Sequence, residues 1–340
     1  MSRQPIAATL IPGDGIGPEV TQAVLTVFEG LGVSFGWDIQ KAGQSAMDEV
    51  GEQLPAATID SIRRTGLALK GPLATPIGGG FRSVNVALRK EFELFANVRP
   101  ARTLVPGRYE NVDIVLVREN LEGFYVGAEH YVRVGDDPHA VGVATGYNTR
   151  IGSKRLFEYS FALAERLGRK KVSIVHKANI LKILTGVFLE AGREAAKAYE
   201  GRLTVEDQIV DACAMNLVLN PSRFDMIVTT NMFGDILSDQ IAGLVGGLGM
   251  APSANIGENA AIFEAVHGSA PDIAGKNLAN PLALIMAAGM MLDHVGLTEE
   301  ATRLRSAIDR TLADGHKTRD LGGTLATSDM AKAIVARLDP

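Results

Sequence analysis

The sequence predicts an α/β protein with a largely parallel sheet flanked by helices. Apolar runs of strand length alternate with helical patterns: a strand at 6–11, a helix at 20–31, a strand at 33–39, a helix at 57–65 and a strand at 67–73. This alternation is typical of parallel sheets whose connections are helices. A chain of 340 residues, 46% of them hydrophobic, can bury a large core, and we expect two domains.

The pattern changes after residue 97. An apolar strand at 112–119 is followed by two short strand-like segments, 131–134 and 141–144, around a turn at 135–138. These segments predict a two-stranded antiparallel ribbon, which has little core of its own and needs a partner surface. Helical and strand patterns then resume, with helices predicted over 153–167, 281–294 and 299–312. We expect the first and last thirds of the chain to share one domain.

Composition excludes several classes of protein. The formal net charge of −5 gives no general attraction for nucleic acid or for an anionic membrane. No apolar run reaches the roughly 20 residues of a membrane-spanning helix. The lone cysteine, Cys213, rules out an internal disulfide and fits a reducing compartment. The N-terminus has no signal or transit pattern, so we expect a cytoplasmic protein, although a mature organellar protein would look the same.

Acidic residues in the segment NMFGDILSD predict a metal site. Asp235 and Asp239 lie four residues apart in a helical pattern and therefore point from one face, and Asp211 lies upstream. Three carboxylates without a histidine or cysteine beside them suit Mg2+ or Mn2+ better than zinc. The same spacing is also typical of a solvated helix face.

The glycines of GDGIGPE do not predict a Rossmann fold. Gly13, Gly15 and Gly17 give the spacing GxGxG, which differs from GxGxxG, and no acidic residue ends the second strand. We interpret the segment as a tight turn in which glycines adopt positive φ, with Pro18 at a helix start.

Three arginines, Arg89, Arg99 and Arg118, each follow an apolar stretch. Each could form a surface ion pair, but together they suit a small polycarboxylate, because the guanidinium fork matches carboxylate geometry. Ser83 and Asn85 lie at a predicted helix start. They either cap the helix or bind a further carboxylate at its positive end.

Lys177 in VHKAN and Tyr125 in RENLEGFYVG are candidate proton carriers. A lysine after an apolar strand is ordinarily a surface residue, and a tyrosine is ordinarily part of the core. Beside a divalent cation and arginines, however, Lys177 could act as a base near neutral pH.

The segment 264–281 is too polar for core and contains His267 and Asp272. It could form a loop around an adenosine ribose, in which Asp272 accepts from the ribose hydroxyls and repels a 2′-phosphate, which favours NAD over NADP. The alternatives are a core histidine, a solvated aspartate, and Asn280-Pro281 as a helix cap and first helical residue.

Taken in order, these segments resemble the β-decarboxylating dehydrogenases, the family of isocitrate, homoisocitrate and 3-isopropylmalate dehydrogenases. The resemblance runs through GDGIGPE, ANVRP, VHKAN, GDILSD, HGSAPDIAGK and DLGG. It implies two α/β domains joined through a shared sheet, distinct from a Rossmann fold. Residues 1–98 and 252–340 would form the large, cofactor-binding domain, and 99–251 the small domain with the dimer interface and a clasp at about 131–145.

The resemblance also implies the site of a homodimer with shared active sites. Asp235 and Asp239 would hold Mg2+ or Mn2+ with Asp211 of the partner subunit, and Lys177, also from the partner, would take the C2 hydroxyl proton. Tyr125 would protonate C3. The substrate would be bound by Ser83, Asn85, Arg89, Arg99 and Arg118, and NAD by Asn179, His267, Gly268, Ala270, Asp272 and Asn280.

The polar residues at 82–88 bear on the substrate. Isopropylmalate enzymes carry leucine-rich, apolar side chains here, whereas Ser83 and Asn85 would be left unpaired against an isopropyl group, which favours isocitrate. Arg82 keeps homoisocitrate open, because an extra cation could reach a longer arm. A non-catalytic regulatory subunit would lack the tyrosine, the lysine or a metal carboxylate, and this chain has all of them.

Overall fold

The computed structural model describes residues 5–74, 83–105, 107 and 109–338. Within these residues the strands are β1 (Ile6–Ile11), β2 (Phe35–Ile39), β3 (Leu67–Lys70), β4 (Ala96–Arg102), β5 (Asp113–Glu119), β6 (Gly123–Val134), β7 (Asp137–Tyr147), β8 (Lys171–His176), β9 (Thr204–Ile209), β10 (Met226–Thr229), β11 (Pro252–Ile256) and β12 (Ala261–Ala265).

The α-helices of the same residues are α1 (Gly17–Leu31), α2 (Gln44–Val50), α3 (Ala56–Thr65), α4 (Val84–Glu91), α5 (Arg150–Arg166), α6 (Leu184–Ala196), α7 (Val210–Leu219), α8 (Asn231–Val245), α9 (Leu282–His294), α10 (Thr298–Ala313) and α11 (Thr327–Val335). In this described part of the chain, no helix combines the length and apolar character needed to cross a membrane.

Strands and helices alternate, and ten strands belong to one mixed sheet, so the predicted α/β class is confirmed. The chain divides into two compact units. The first unit comprises Met1–Leu94, Pro100–Asn111 and Ala242–Pro340, and the second comprises Phe95–Arg99 and Val112–Ile241. The first unit thus includes residues 100–111, and its last segment begins at 242, whereas the small domain was predicted over 99–251. The predicted domains and the roles assigned to them stay predictions.

In the first unit the strand order is β2-β1-β3-β12-β11. The pairs of β1 with β2 and β3, and of β3 with β12, are parallel, whereas β11 and β12 are antiparallel. Helix α9 is apolar on nearly every side and lies in the core, with Leu282, Ile285 and Leu292 fully buried. A helix without a polar face is stable only when other elements surround it.

In the second unit the strand order is β5-β10-β8-β9, and all of these pairs are parallel. The strands β8 and β10 are apolar and buried, as expected for strands covered on both faces. Parallel pairing brings the carboxyl ends of β5, β8 and β10 to one edge of the sheet. Arg118, Lys177 and Asn231 lie at or directly after these ends.

The predicted ribbon is present and longer than expected. Strands β6 and β7 form a separate antiparallel sheet from Gly123 to Tyr147, because pairing continues beyond the segments 131–134 and 141–144, for example between Ala128 and Thr145. Tyr131 and Val134 are 64% and 59% exposed. Large apolar side chains exposed on a ribbon are typical of interaction surfaces, but the role as a dimer clasp stays a prediction.

Candidate active site

The acidic helix α8 begins directly after β10 and presents Asn231 and Asp235 to Arg118, at the end of β5. Arg118 Nη1 donates to Asp235 Oδ1, and Nε and Nη2 donate to Asn231 Oδ1 at 3.1 and 2.7 Å. Gly234 allows this close approach, because a Cβ there would lie 2.6 Å from Arg118 Cγ. Arg118 is 1% exposed, so its permanent charge is held in one place.

A second buried arginine, Arg99 in β4, meets the same helix. Its Nη1 donates to Ser238 Oγ at 2.6 Å and lies 3.5 Å from Asp235 Oδ1 and 3.6 Å from Asp239 Oδ1. Its Nε donates to Asn97 Oδ1 at 2.6 Å, which orients the guanidinium plane. Two of the three predicted arginines therefore converge on two of the three predicted carboxylates, Asp235 and Asp239.

Tyr125 in β6 lies beside the acidic helix rather than in the core. Its hydroxyl donates to Asp235 Oδ2 at 2.5 Å, and the guanidinium carbon of Arg118 lies 5.0 Å from its ring centroid. The hydroxyl is thus held as a hydrogen-bond donor between a carboxylate and a guanidinium group. This environment suits a proton donor.

Asp235 and Asp239 could hold a divalent cation. Their side chains are 38% and 52% exposed, and both approach the same nitrogen of Arg99. Burial and the charge of Asp235 raise the pKa of Asp239, against the opposing charges of Arg99 and Arg118. Two converging, partly open carboxylates are the hard oxygen donors that Mg2+ and Mn2+ prefer, so the residues present fit such an ion.

The third predicted metal ligand, Asp211, lies with Lys177 instead. Lys177 follows β8, and its ammonium group pairs with Asp211 in the first turn of α7. This bond lowers the pKa of the exposed Asp211 carboxyl. Among the described residues, no group of three histidine, cysteine or acidic side chains could hold a metal ion. Asn179 is exposed in the turn after Lys177.

The remaining predicted substrate residues belong to the first unit, on α4. Ser83 precedes the helix, but its side chain makes no capping hydrogen bond, so the capping alternative is wrong for Ser83. The buried atoms Asn85 Oδ1 and Arg89 Nε have no hydrogen-bond partner within the described residues. Arg82, on which the homoisocitrate alternative depends, lies outside the described residues.

A buried ion pair that was not predicted from the sequence lies near Arg89. Lys70 in β3 and Glu264 in β12 are opposite each other in the parallel register, and Lys70 Nζ lies 2.6 Å from Glu264 Oε2. Asn255 donates to the other carboxylate oxygen at 2.7 Å. Burial opposes the ionisation of Glu264, but the charges of Lys70 and Arg89 and the hydrogen bonds outweigh it and hold the pKa of Glu264 at about 2.

This ion pair borders a cavity of about 10 Å3, which Asn85 and Arg89 also line. Such a cavity has room for roughly one water molecule. A signal was present in the sequence, because a lysine in LALK and a glutamate in AIFEA interrupt apolar strands. Charged residues in buried strands are almost always paired.

The glycine-rich segment forms the predicted tight turn. Gly13 and Gly15 have φ angles of 85° and 57°, as interpreted, whereas Gly17 is the first residue of α1 and is not among the positive-φ glycines. A Cβ at Gly15 would lie 2.0 Å from the carbonyl oxygen of Ser269, and Ile16 donates its N–H to that oxygen at 2.9 Å. The turn therefore packs directly against the segment predicted to bind the cofactor.

That segment, 267–272, lies after β12 in the first unit. His267 Nδ1 lies 3.0 Å from the carbonyl oxygen of Gly268, and its Nε2 is buried without a partner in the described part of the chain. Burial lowers the pKa of His267, which favours a neutral ring. Ala270 has a φ of 39°, in the left-handed region that non-glycine residues seldom adopt, and Asp272 is exposed.

Asn280 has a structural role in addition to any role in cofactor binding. Its Oδ1 accepts from the N–H of Leu282, the first residue of α9, at 3.0 Å. Its Nδ2 donates to Asp320 Oδ2 at 2.9 Å. The Asn280 side chain therefore does bond at the helix start, but Pro281 has the N-cap position and is not the first helical residue as that alternative predicted. The role of Asn280 toward the cofactor stays a prediction.

Comparison with known proteins gives matches along the whole chain. The family model described as isocitrate/isopropylmalate dehydrogenase matches residues 7–334. Catalytic subunit 5 of the mitochondrial NAD isocitrate dehydrogenase of Arabidopsis thaliana is 48% identical over 342 residues, which cover 99% of this chain and 90% of the plant protein. A 3-isopropylmalate dehydrogenase of Archaeoglobus fulgidus is 47% identical over 332 residues, which cover 97% and 98%.

Solved structures share the fold. The crystal structure of isocitrate dehydrogenase from Methylococcus capsulatus matches with a TM-score of 0.94 and 52% identity, covering 98% of this chain and 99% of that chain. The predicted architecture is confirmed, and the strand arrangement is not that of a Rossmann fold.

Proposed function

The chain belongs to the isocitrate/isopropylmalate dehydrogenase family of decarboxylating dehydrogenases, and we propose that it oxidises isocitrate with NAD and a divalent cation, yielding 2-oxoglutarate and CO2. Relatives named for isocitrate and for 3-isopropylmalate are about equally similar, so the choice of substrate depends on the residues of the site. The observation that favours isocitrate is that polar residues, Ser83 and Asn85, lie at the start of α4.

Ser83 and Asn85 at this end of α4 keep hydrogen-bonding capacity that the helix does not use. Arg89, one turn further along, adds a cation. A third substrate carboxylate would accept hydrogen bonds from the Ser83 hydroxyl, the Asn85 amide nitrogen and the Arg89 guanidinium group. An isopropyl group would leave them unpaired, at a cost of about 1–3 kcal/mol for each buried group.

The reaction type is supported by the cluster around α8. A divalent cation held by Asp235, Asp239 and Asp211 of the partner subunit would supply Lewis-acid stabilisation at the C2 oxygen, and NAD would accept the hydride. Arg99 and Arg118 are fixed by neighbouring side chains, so their remaining N–H groups would meet substrate carboxylates from fixed positions.

Two side chains would move protons. Lys177 Nζ would take the proton of the C2 hydroxyl. Tyr125 holds a proton on its hydroxyl beside Asp235 and would deliver it to C3 after CO2 leaves. The guanidinium group of Arg118 near the ring stabilises the phenolate that remains.

We infer a homodimer with shared sites, because one chain keeps Lys177 and Asp211 apart from the pair Asp235 and Asp239. A mixture of the variants Lys177→Met and Asp239→Asn tests this. Each variant alone should be inactive, whereas subunit exchange should restore up to about a quarter of the activity, since half of the dimers are mixed and each has one intact site. A site built within one chain would give no recovery.

The substrate is tested by initial rates with isocitrate, homoisocitrate and 3-isopropylmalate, each with NAD or NADP and with Mg2+ or Mn2+. We expect kcat/KM to be highest for isocitrate with NAD by more than about 10-fold, and turnover to stop when a chelator removes the metal. Ser83→Leu should lose isocitrate activity, whereas Lys90→Leu, at the exposed end of the same helix, should keep it. Faster turnover of either other acid would refute the choice of substrate.

The alternatives make different predictions in the same assay. A 3-isopropylmalate dehydrogenase, the activity named for the relative at 47% identity, would turn over 3-isopropylmalate fastest. A homoisocitrate dehydrogenase would prefer the longer acid, and Arg82→Ala would remove that preference. A regulatory subunit would be inactive with all three, although Tyr125, Lys177 and the three carboxylates argue against it.

A further inference from the structure

His176, directly before Lys177, is buried and forms a hydrogen bond with the backbone of Ala178, directly after Lys177. His176 ends β8 and is 5% exposed. Its Nδ1 accepts a hydrogen bond from the N–H of Ala178 at 3.0 Å. The imidazole thus closes a short turn with Lys177 at its middle.

Three further hydrogen bonds hold the backbone of Lys177 itself. Its N–H donates to Thr185 Oγ1 at 3.3 Å, and its carbonyl oxygen accepts from Ile180 and Leu181 at 3.0 and 2.8 Å. Thr185 is 2% exposed. The direction in which the lysine leaves the backbone is therefore set by the buried side chains of His176 and Thr185 and by backbone N–H groups of the following turn, while its ammonium group lies beside Asp211.

The environment of the second ring nitrogen of His176, Nε2, fits a ring in which Nδ1 accepts the hydrogen bond from Ala178. Nε2 is buried and has no hydrogen-bond partner within the described residues; it faces Asp207 Oδ2 on β9 at 3.5 Å, and the other oxygen of Asp207 accepts from Arg193 at 2.7 Å. Since Nδ1 accepts from an amide, a neutral ring carries its proton on Nε2, toward the carboxylate. Burial lowers the pKa of His176, against the opposing charge of Asp207, which favours this neutral form.

We propose that His176 is a positioning residue for Lys177: by holding the N–H of Ala178, it sets the place from which the lysine reaches the reacting oxygen. This inference rests on the proposed function, in which Lys177 takes a proton from the substrate. Proton transfer needs hydrogen-bond distance, and a misplacement of about 1 Å costs on the order of 100-fold in rate.

Two substitutions separate positioning from packing. In His176→Asn the amide oxygen can occupy the place of Nδ1 and accept from Ala178, whereas His176→Leu fills similar space without an acceptor. We expect kcat to fall on the order of 10- to 100-fold in the leucine variant, with KM changed less than about 3-fold, and to recover largely in the asparagine variant. A packing role alone predicts the opposite order, because a buried leucine costs less stability than a buried asparagine.

A matched control lies in the same strand. Ser173 is fully buried and donates to Glu206 on β9 at 2.8 Å, but it makes no bond in the turn around Lys177. Ser173→Ala should therefore lose some thermal stability and keep kcat within about 2-fold. A loss of kcat as large as that of His176→Leu would overturn the proposal.

Amide hydrogen exchange at Ala178 gives a readout that does not depend on turnover. We expect protection in the wild type and in His176→Asn, and its loss in His176→Leu. Equal protection in all three proteins, or a leucine variant as active as the asparagine variant, overturns the inference. A wild type that turns over none of the three acids would instead refute the proposed function, and the exchange result would still decide the role of His176.

Discussion

The buried pair of Lys70 and Glu264 makes a sharp test of the electrostatics of the first unit. We consider Glu264→Gln, which removes the charge and keeps the shape of the side chain. Lys70 is 2% exposed, so its ammonium group would stay buried without its counter-charge. Removal of one partner from a buried ion pair typically costs about 3–5 kcal/mol.

The pKa of Glu264 gives an independent magnitude. It falls from the ordinary value of 4.5 to about 2, since the charges and hydrogen bonds around Glu264 outweigh its burial. At about 1.4 kcal/mol for each pH unit, this difference corresponds to about 3 kcal/mol of stability. Because the folded-state pKa is depressed, this stability is fully present above about pH 4.5 and is lost as the pH falls toward 2.

The assay is urea unfolding followed by tryptophan fluorescence. Trp37 is the only tryptophan of the chain, and it lies in β2 of the first unit, beside Phe35. Its emission therefore reports the unit that contains Glu264. We expect the variant to lose about 3 kcal/mol at neutral pH, and the difference from wild type to shrink in acid below about pH 4.5.

Two controls complete this experiment. Glu52→Gln, at an exposed position of the same unit, should change stability by less than about 0.5 kcal/mol. The double variant Lys70→Met/Glu264→Leu should recover most of the loss, because no unpaired charge remains. A loss below about 1 kcal/mol in Glu264→Gln, or a loss that does not change with pH, would refute the reasoning.

Three further outcomes follow from the site. Asp239→Asn should abolish turnover and change the free energy of unfolding by less than about 0.5 kcal/mol, because its side chain is half exposed; an active, metal-dependent variant contradicts the assignment. Asp272→Lys should raise the KM for NAD and improve use of NADP, and unchanged NAD kinetics exclude the ribose role. Burial raises the pKa of Cys213 to about 12, so iodoacetamide should label it only in urea. Labelling is followed by mass spectrometry, and rapid labelling of the native protein would contradict the burial of this thiol.

Local pattern predicted the elements that have a strong periodicity. The alternation of apolar runs was enough for β1, α1, β3, α5, β8 and α9, because each buries a continuous apolar stripe or run. Helix α2 was missed for a physical reason. It has only seven residues, and its first N–H groups, of Gln44 and Ser45, donate to the carboxylate of Asp14 at 2.9 Å. A cap supplied by a distant residue leaves no local signal.

The candidate site was predictable in composition but only partly in arrangement. The spacing of Asp235 and Asp239 on one helix follows from helical geometry alone. Their contact with Arg118 depends on β5 lying beside β10, which strand order determines and spacing does not reveal. His176 was overlooked because a histidine at the end of an apolar strand has an ordinary structural explanation, and only its hydrogen bond to Ala178 indicates more.

The glycine in the middle of α8 limits how this protein can be engineered. Replacing helical glycines with alanine is a common route to thermostability and gains up to about 1 kcal/mol at a permissive position. Gly243, later in the same helix, has open space around an added Cβ, so it suits that strategy. At Gly234 the added methyl group would collide with the aliphatic stem of Arg118. Gly234→Ala would therefore raise helix propensity but displace an arginine of the candidate site.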